Sequence, residues 1–152
     1  MTTSHAYLPP SGAADWVACA AWPKMQQLHP EEGDSEASAA GTAAHWAGAE
    51  MIQGNVVAEG QITPAGAVLD QEMIDSAQVW SLDVANTLAR GTTRPVAGST
   101  FGLEQRLAPA FHPQNYGTPD AWYWDTNANT LTVWDFKHGH LIVDAWQNWQ
   151  LI

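Results

Sequence analysis

Positive charge is scarce in this chain. Only five of its 152 residues are Lys or Arg, against sixteen Asp and Glu, for a formal net charge of −11 at pH 7. Phosphate binding normally draws on a basic surface, so the charge argues against any nucleic-acid reading that relies on one. Cysteine is scarce as well. Cys19 stands alone, which excludes an internal disulfide and any site built from several thiolates. One thiol is compatible with a reducing compartment. No apolar run is long enough to span a bilayer, and no basic stretch followed by an apolar one opens the chain. The expectation is a soluble, cytoplasmic protein with no membrane partner. Internal repeats and extended low-complexity tracts are missing too.

What is present suits a folded domain. Hydrophobic residues make up 45% of the chain, enough to place it among globular rather than disordered sequences, and 152 residues suffice for one domain with a real core. The reading is a single domain over residues 1–152. Nine Trp is high for this length. Not all can be fully buried, so some are expected at an interface or along a groove.

In chain order, Ser11 is read as the N-cap of a helix through Trp16, Cys19 and Ala20, with Pro23 ending or bending it and Cys19 as a small buried hydrophobe. Residues 30–38 form an acidic, turn-like loop. An Ala-rich helix follows over about 38–53, carrying His45 four residues after Gly41. Thr63-Pro64 reads as a cap with Pro at the first helical position, opening a long helix over about 65–90. Its apolar face runs through Val68, Met73, Ile74, Ala77, Trp80, Leu82, Val84 and Leu88. After a loop at 91–95, residues 99–107 read as a strand with Glu104 on the face of Thr100, Gly102 and Arg106. Residues 109–116 are a loop in which His112 and Tyr116 are read as surface residues. His138-Gly139-His140 is a turn whose histidines are read as solvated, and residues 143–152 look helical.

Residues 117–137 organise the rest. Ala121-Trp122-Tyr123-Trp124 and Leu131-Thr132-Val133-Trp134 are aromatic and β-branched, as strands prefer. The run Asp125-Thr126-Asn127-Ala128-Asn129-Thr130 between them is turn chemistry. A hairpin closing about Asn127 and Ala128 sets Asp120 opposite Asp135. Alternation puts Asp135 and Lys137 on one face, so two carboxylates and an amine converge. Like charges that close call for a cation between them, and a hard divalent ion such as Mg²⁺ suits oxygen ligands.

Gly117-Thr118-Pro119-Asp120 followed by Asp135-Phe136-Lys137 resembles the signature of the PD-(D/E)XK nucleases, in particular the RecB-like and phage-type exonucleases. The resemblance covers most of the chain and implies an α/β fold with a restriction-endonuclease-like core, a central mixed β-sheet flanked by α-helices. It implies His45, Glu104, Asp120, Asp135 and the backbone carbonyl of Phe136 as ligands of one or two Mg²⁺ or Mn²⁺ ions. Lys137 would orient or deprotonate the attacking water or neutralise the developing charge, and Gln150 would position Lys137 or a phosphate. Trp122 and Trp124 would wall the site, stack on a base or pack in the core. Iron–sulfur members of that group use four Cys, so no cluster is expected here. The helix of Gln150 carries a Gln-x-x-x-Tyr motif in the family. Its Tyr would fall after Ile152, so the domain is expected to be incomplete at its C-terminal end.

The implied function is metal-dependent hydrolysis of DNA phosphodiesters, as an exonuclease, in the recombination or repair of a bacterial or phage-infected cell. DNA is the implied partner, with a single-strand annealing or recombination protein beside it. Two other readings stand next to it. One is a nuclease-like fold that binds without cleaving. The other is an acidic interaction protein or DNA mimic, prompted by the charge of −11.

Overall fold

A computed structural model describes residues 6–28, 36–90, 100–108 and 113–139. The expectations for His112, His140, Gln150, the loop at 91–95 and the helix at 143–152 lie outside these residues. The chain divides into two compact units. Elements in order are a 3-10 turn at Pro10–Gly12, α1 (Ala13–Ala18), α2 (Trp22–Leu28), α3 (Glu36–Ile52), α4 (Gln71–Arg90), β1 (Thr100–Leu103), β2 (Ala121–Asp125) and β3 (Thr130–Trp134).

The smaller unit comprises, among described residues, 6–28, 105–108 and 113–119. The helix expected from Ser11 through Cys19 divides here into α1 and α2. Pro23 does not end a helix; it sits in the first turn of α2, where its missing N–H has no intrahelical partner to lose. Cys19 caps α1, its N–H donating to the Asp15 carbonyl at 2.8 Å, and it is exposed rather than buried. Six residues of α1 cannot bury both faces. Gly12 lies under the Trp22 ring, where a Cβ would come within 2.5 Å of the indole.

The larger unit holds α3, α4 and the sheet. The described strands form an antiparallel sheet in the order β1-β2-β3. The fold is thus mixed α/β; a parallel strand that would make the sheet mixed is not among the described residues. Ala121 pairs with Trp134 and Trp124 with Leu131, the hairpin register expected from the sequence. The turn is fixed locally. Asp125 Oδ1 accepts from the Asn127 and Ala128 N–H groups at 2.9 and 3.1 Å, and Asn129 takes a left-handed φ of 51°.

The expected long helix begins later than Thr63-Pro64 suggests. Residues 60–69 form a tight antiparallel turn instead, with Ile62 bridged to Val68 and Gly66 at φ 86°. Thr63 Oγ1 accepts from the Ala67 N–H at 3.2 Å and so caps this turn rather than a helix. The cap of α4 is Asp70, whose Oδ1 accepts from the Met73 N–H at 2.8 Å. Val68 and Leu82, expected on the apolar face, are exposed.

Small residues let α3 approach α4. Ala43 and Ala47 pack with Leu69, Ile74 and Ala77, while Ala44 joins Trp80, Val84, Ala121 and Phe136 in a second cluster. That second cluster seats the helix pair on one sheet face. Gly48 is the tightest point, since a Cβ there would meet the Trp80 ring at 2.4 Å. Gly48→Ala is therefore expected to destabilise the fold by about 1–3 kcal/mol through overpacking, more than the gain of roughly 1 kcal/mol in helix propensity. Urea unfolding monitored by Trp fluorescence checks it.

Candidate active site

α3 carries His45 to the start of β2. Its Nδ1 lies 3.0 Å from Asp120 Oδ1, and its ring packs on Phe136 with centroids 5.0 Å apart. The other Asp120 oxygen, Oδ2, accepts a short hydrogen bond of 2.5 Å from the Phe136 N–H. Asp120 therefore ties the entry of β2 both to α3 and to the segment that leaves β3. Burial, the largest effect on the His45 ring, opposes its protonation. The hydrogen bond and charge of Asp120 and a backbone hydrogen bond at Phe136 outweigh it, and Lys137 subtracts a little. The net result is a pKa raised above the ordinary imidazole value.

A raised folded pKa means that the protonated ring stabilises the fold. That contribution is complete below the unfolded value of about 6.5 and disappears as pH rises through the folded value. The difference in Tm between the wild type and His45→Gln, measured in chelator, is expected to shrink as pH climbs through that window.

Asp135 and Lys137 form the second pair. Lys137 Nζ donates to Asp135 Oδ1 at 2.8 Å, as two residues of one extended segment on the same face should. The lysine is about half exposed, so the pair adds little to stability, roughly 0.2–1 kcal/mol. By register, Asp120 and Asp135 stand opposite one another just beyond the Ala121–Trp134 pair. Among the described residues no hydrogen bond or ion pair links the side chains of the two pairs.

Glu104 departs from expectation. The strand expected over 99–107 stops at Leu103, and Glu104 turns left-handed at φ 45°, its N–H donating to the Asp120 carbonyl at 3.0 Å. Strand alternation therefore no longer dictates where it points. It lines a pocket of about 650 Å³ together with His45, Thr42, Trp46, Glu50 and Thr63. A non-glycine residue held left-handed costs about 1–2 kcal/mol, a strain that recurs at functional sites as well as in turns. Glu104→Gly is expected to leave stability unchanged or raise it by up to about 1 kcal/mol, the released strain exceeding the added chain entropy. Thermal unfolding reads the change.

Thr42, Trp46 and Glu50 were not singled out in the sequence. Their signal is helical spacing, since Thr42, His45 and Ala49 recur at intervals of three and four and face one pocket. Other unforeseen contacts come from α4. Trp80 stacks on Phe136 with centroids 5.1 Å apart and an interplanar angle of 1°. Asp83 Oδ2 accepts from Trp134 Nε1 at 2.8 Å, and Ser76 Oγ lies 2.9 Å from His138 Nδ1. His138, read as solvated, is thus half-buried and bonded to a helix. Trp122 and Trp124 are half-buried, and Trp122 Nε1 is buried with no partner among the described residues.

In kind, the donor set suits a hard divalent cation: three carboxylates from Glu104, Asp120 and Asp135, and the His45 imidazole. Asp120 and His45 touch, Glu104 is joined to Asp120 through the backbone, and Asp135 faces Asp120 across the register. The carboxylates of Asp120 and Asp135 meanwhile turn to internal partners. Among the described residues no three of His, Cys, Asp and Glu are drawn close enough to hold an ion as they stand. No helix of the described residues is long and apolar enough to cross a membrane.

No curated protein and no solved structure matches the chain. One family does: residues 5–152 match the family described as Protein of unknown function (DUF2800), and the chain belongs to it.

Proposed function

We propose that this protein is a Mg²⁺- or Mn²⁺-dependent deoxyribonuclease of the PD-(D/E)XK kind, on a restriction-endonuclease-like core, cleaving DNA as an exonuclease. The observation that carries the reading is the junction at Asp120. Its carboxylate is bonded at once to His45 of α3 and to the Phe136 N–H, inside the Asp135-Phe136-Lys137 run that the β2–β3 register brings opposite. His45 bonds Asp120 at the start of β2, the register sets Asp135 opposite Asp120, and Lys137 bonds Asp135, in the chain order of the nuclease signature these residues resemble.

Glu104, Asp120, Asp135 and His45 would hold the ion, with the Phe136 carbonyl beside them. Bound there, a divalent ion supplies Lewis acidity toward the phosphate and a more acidic water. Lys137, whose amine donates to Asp135, would orient the attacking water, relay its proton toward that carboxylate or neutralise the developing charge. The water oxygen forms a bond to phosphorus as the bond to the leaving sugar oxygen breaks, and that oxygen gains a proton. His45, fixed by Asp120 and packed on Phe136, keeps the Asp120 carboxylate aimed at the site.

Incubating the protein with end-labelled linear duplex and single-stranded DNA tests the reading. Mn²⁺ should support nucleotide release and excess chelator should stop it; no release from either substrate with Mn²⁺ or Mg²⁺ overturns it. The charge of −11 favours one other reading, an acidic interaction protein. That reading predicts binding to a basic protein partner with no divalent ion required.

A further inference from the structure

The Asp135-Phe136-Lys137 run lies beyond the last ladder pair of β3, which ends at Trp134. Strand pairing therefore does not hold it. Side chains of α4 hold it, together with the Asp120 carboxylate on the Phe136 N–H and the His45 ring on Phe136. Ser76, Trp80 and Asp83 follow one another at intervals of four and three, which places them on a single helical stripe. Their partners are His138, Phe136 and Trp134, alternate residues of an extended segment running the opposite way. Ser76 meets His138 at one end at 2.9 Å and Asp83 meets Trp134 at the other at 2.8 Å. Between them Trp80 lies flat on Phe136.

Polar detail supports a fixed arrangement. Ser76 Oγ donates to the Met73 carbonyl at 3.0 Å, which leaves its lone pairs to accept from His138 Nδ1–H. Asp83 accepts from an indole N–H, which can only donate. The stacking alone would let the run slide along the ring face. The two terminal hydrogen bonds act with the Asp120–Phe136 bond against such sliding. Trp134, Phe136 and His138 contact α4, whereas the intervening Asp135 and Lys137 bond each other.

We infer that Ser76 and Asp83 are positioning residues, which clamp the two ends of the segment at 134–138 to α4 and so set how Asp135 and Lys137 are presented to substrate. The inference rests on the proposed nuclease reading for its consequence, but not for its geometry. Neither residue touches the reacting groups.

The test joins two readouts on the purified chain. The first is amide hydrogen exchange in the double variant Ser76→Ala/Asp83→Ala. Phe136, whose N–H is bonded to Asp120, should lose about tenfold or more in protection, while the α4 amides keep theirs. The conservative pair Ser76→Thr/Asp83→Asn keeps an acceptor at both ends and should restore protection. The second readout is DNA cleavage with Mn²⁺, where the Ala pair should lower kcat about tenfold or more with KM little changed, and the conservative pair should recover it. Unchanged Phe136 protection in the Ala pair overturns the inference. So does a loss that spreads equally through α4, or one the conservative pair does not rescue. A wild type that cleaves no DNA defeats the nuclease reading alone, because hydrogen exchange still decides the clamp.

Discussion

Asp120→Ala is expected to abolish DNA cleavage, weaken Mn²⁺ binding and destabilise the fold, a combination that none of the other proposed site variants should produce. The reason is the number of groups that converge on this carboxylate. Oδ1 holds His45 and Oδ2 accepts the Phe136 N–H. Truncation leaves a part-buried imidazole and a part-buried amide without their acceptor. Each unsatisfied group costs about 1–3 kcal/mol where water cannot reach it. Asp120→Asn separates structure from chemistry. An amide oxygen can still accept from Phe136 and the side chain keeps its shape, so most of the stability should survive. The charge that would hold a cation is gone, so cleavage should not survive. Denaturant unfolding, Mn²⁺ calorimetry and a nuclease assay on the three proteins resolve the cases.

Lys137→Ala should lose cleavage almost as completely while leaving Mn²⁺ binding and stability nearly intact. Its amine donates only to Asp135, from a half-exposed position. Removing such a pair changes stability by less than about 1 kcal/mol. Proton transfer by a positioned side chain contributes on the order of 100- to 10,000-fold, so cleavage should fall by that much. Freed of its partner, Asp135 should bind a cation at least as readily as before. Equal loss of metal binding and cleavage would show that the amine holds the site together rather than serving the reaction.

How much of this was legible in the sequence depends on whether the determining interaction is local. The hairpin was legible because its signals are local: aromatic and β-branched runs flank a polar turn whose Asp125 binds its own backbone. The pairing of Ala121 with Trp134 then follows from counting. The Ala-rich composition of α3 made the helix legible, but its spacing could not send His45 to Asp120; only the resemblance suggested that. Glu104 was legible as a residue type and not as a conformation, because nothing in the sequence after Leu103 signals a left-handed turn. Thr63-Pro64 carried a stronger cap signature than Asp70, yet Gly66 closes a turn there and the helix waits for Asp70. Ser76 and Asp83 carry no signal in the sequence beyond being polar residues of a helix. Their partners lie more than fifty residues away, beyond the reach of any periodicity argument. Cys19 read as buried because free cysteines usually are, but α1 is too short to cover it.

The account stands on a divalent ion being drawn to the strand end at Asp120. Paramagnetic broadening by substoichiometric Mn²⁺ in amide NMR spectra measures this residue by residue. The prediction is broadening centred on His45, Asp120, Asp135 and Phe136 in the wild type, and its loss in Asp120→Asn. Broadening scattered over the acidic helix surfaces, or unchanged by that substitution, would contradict it.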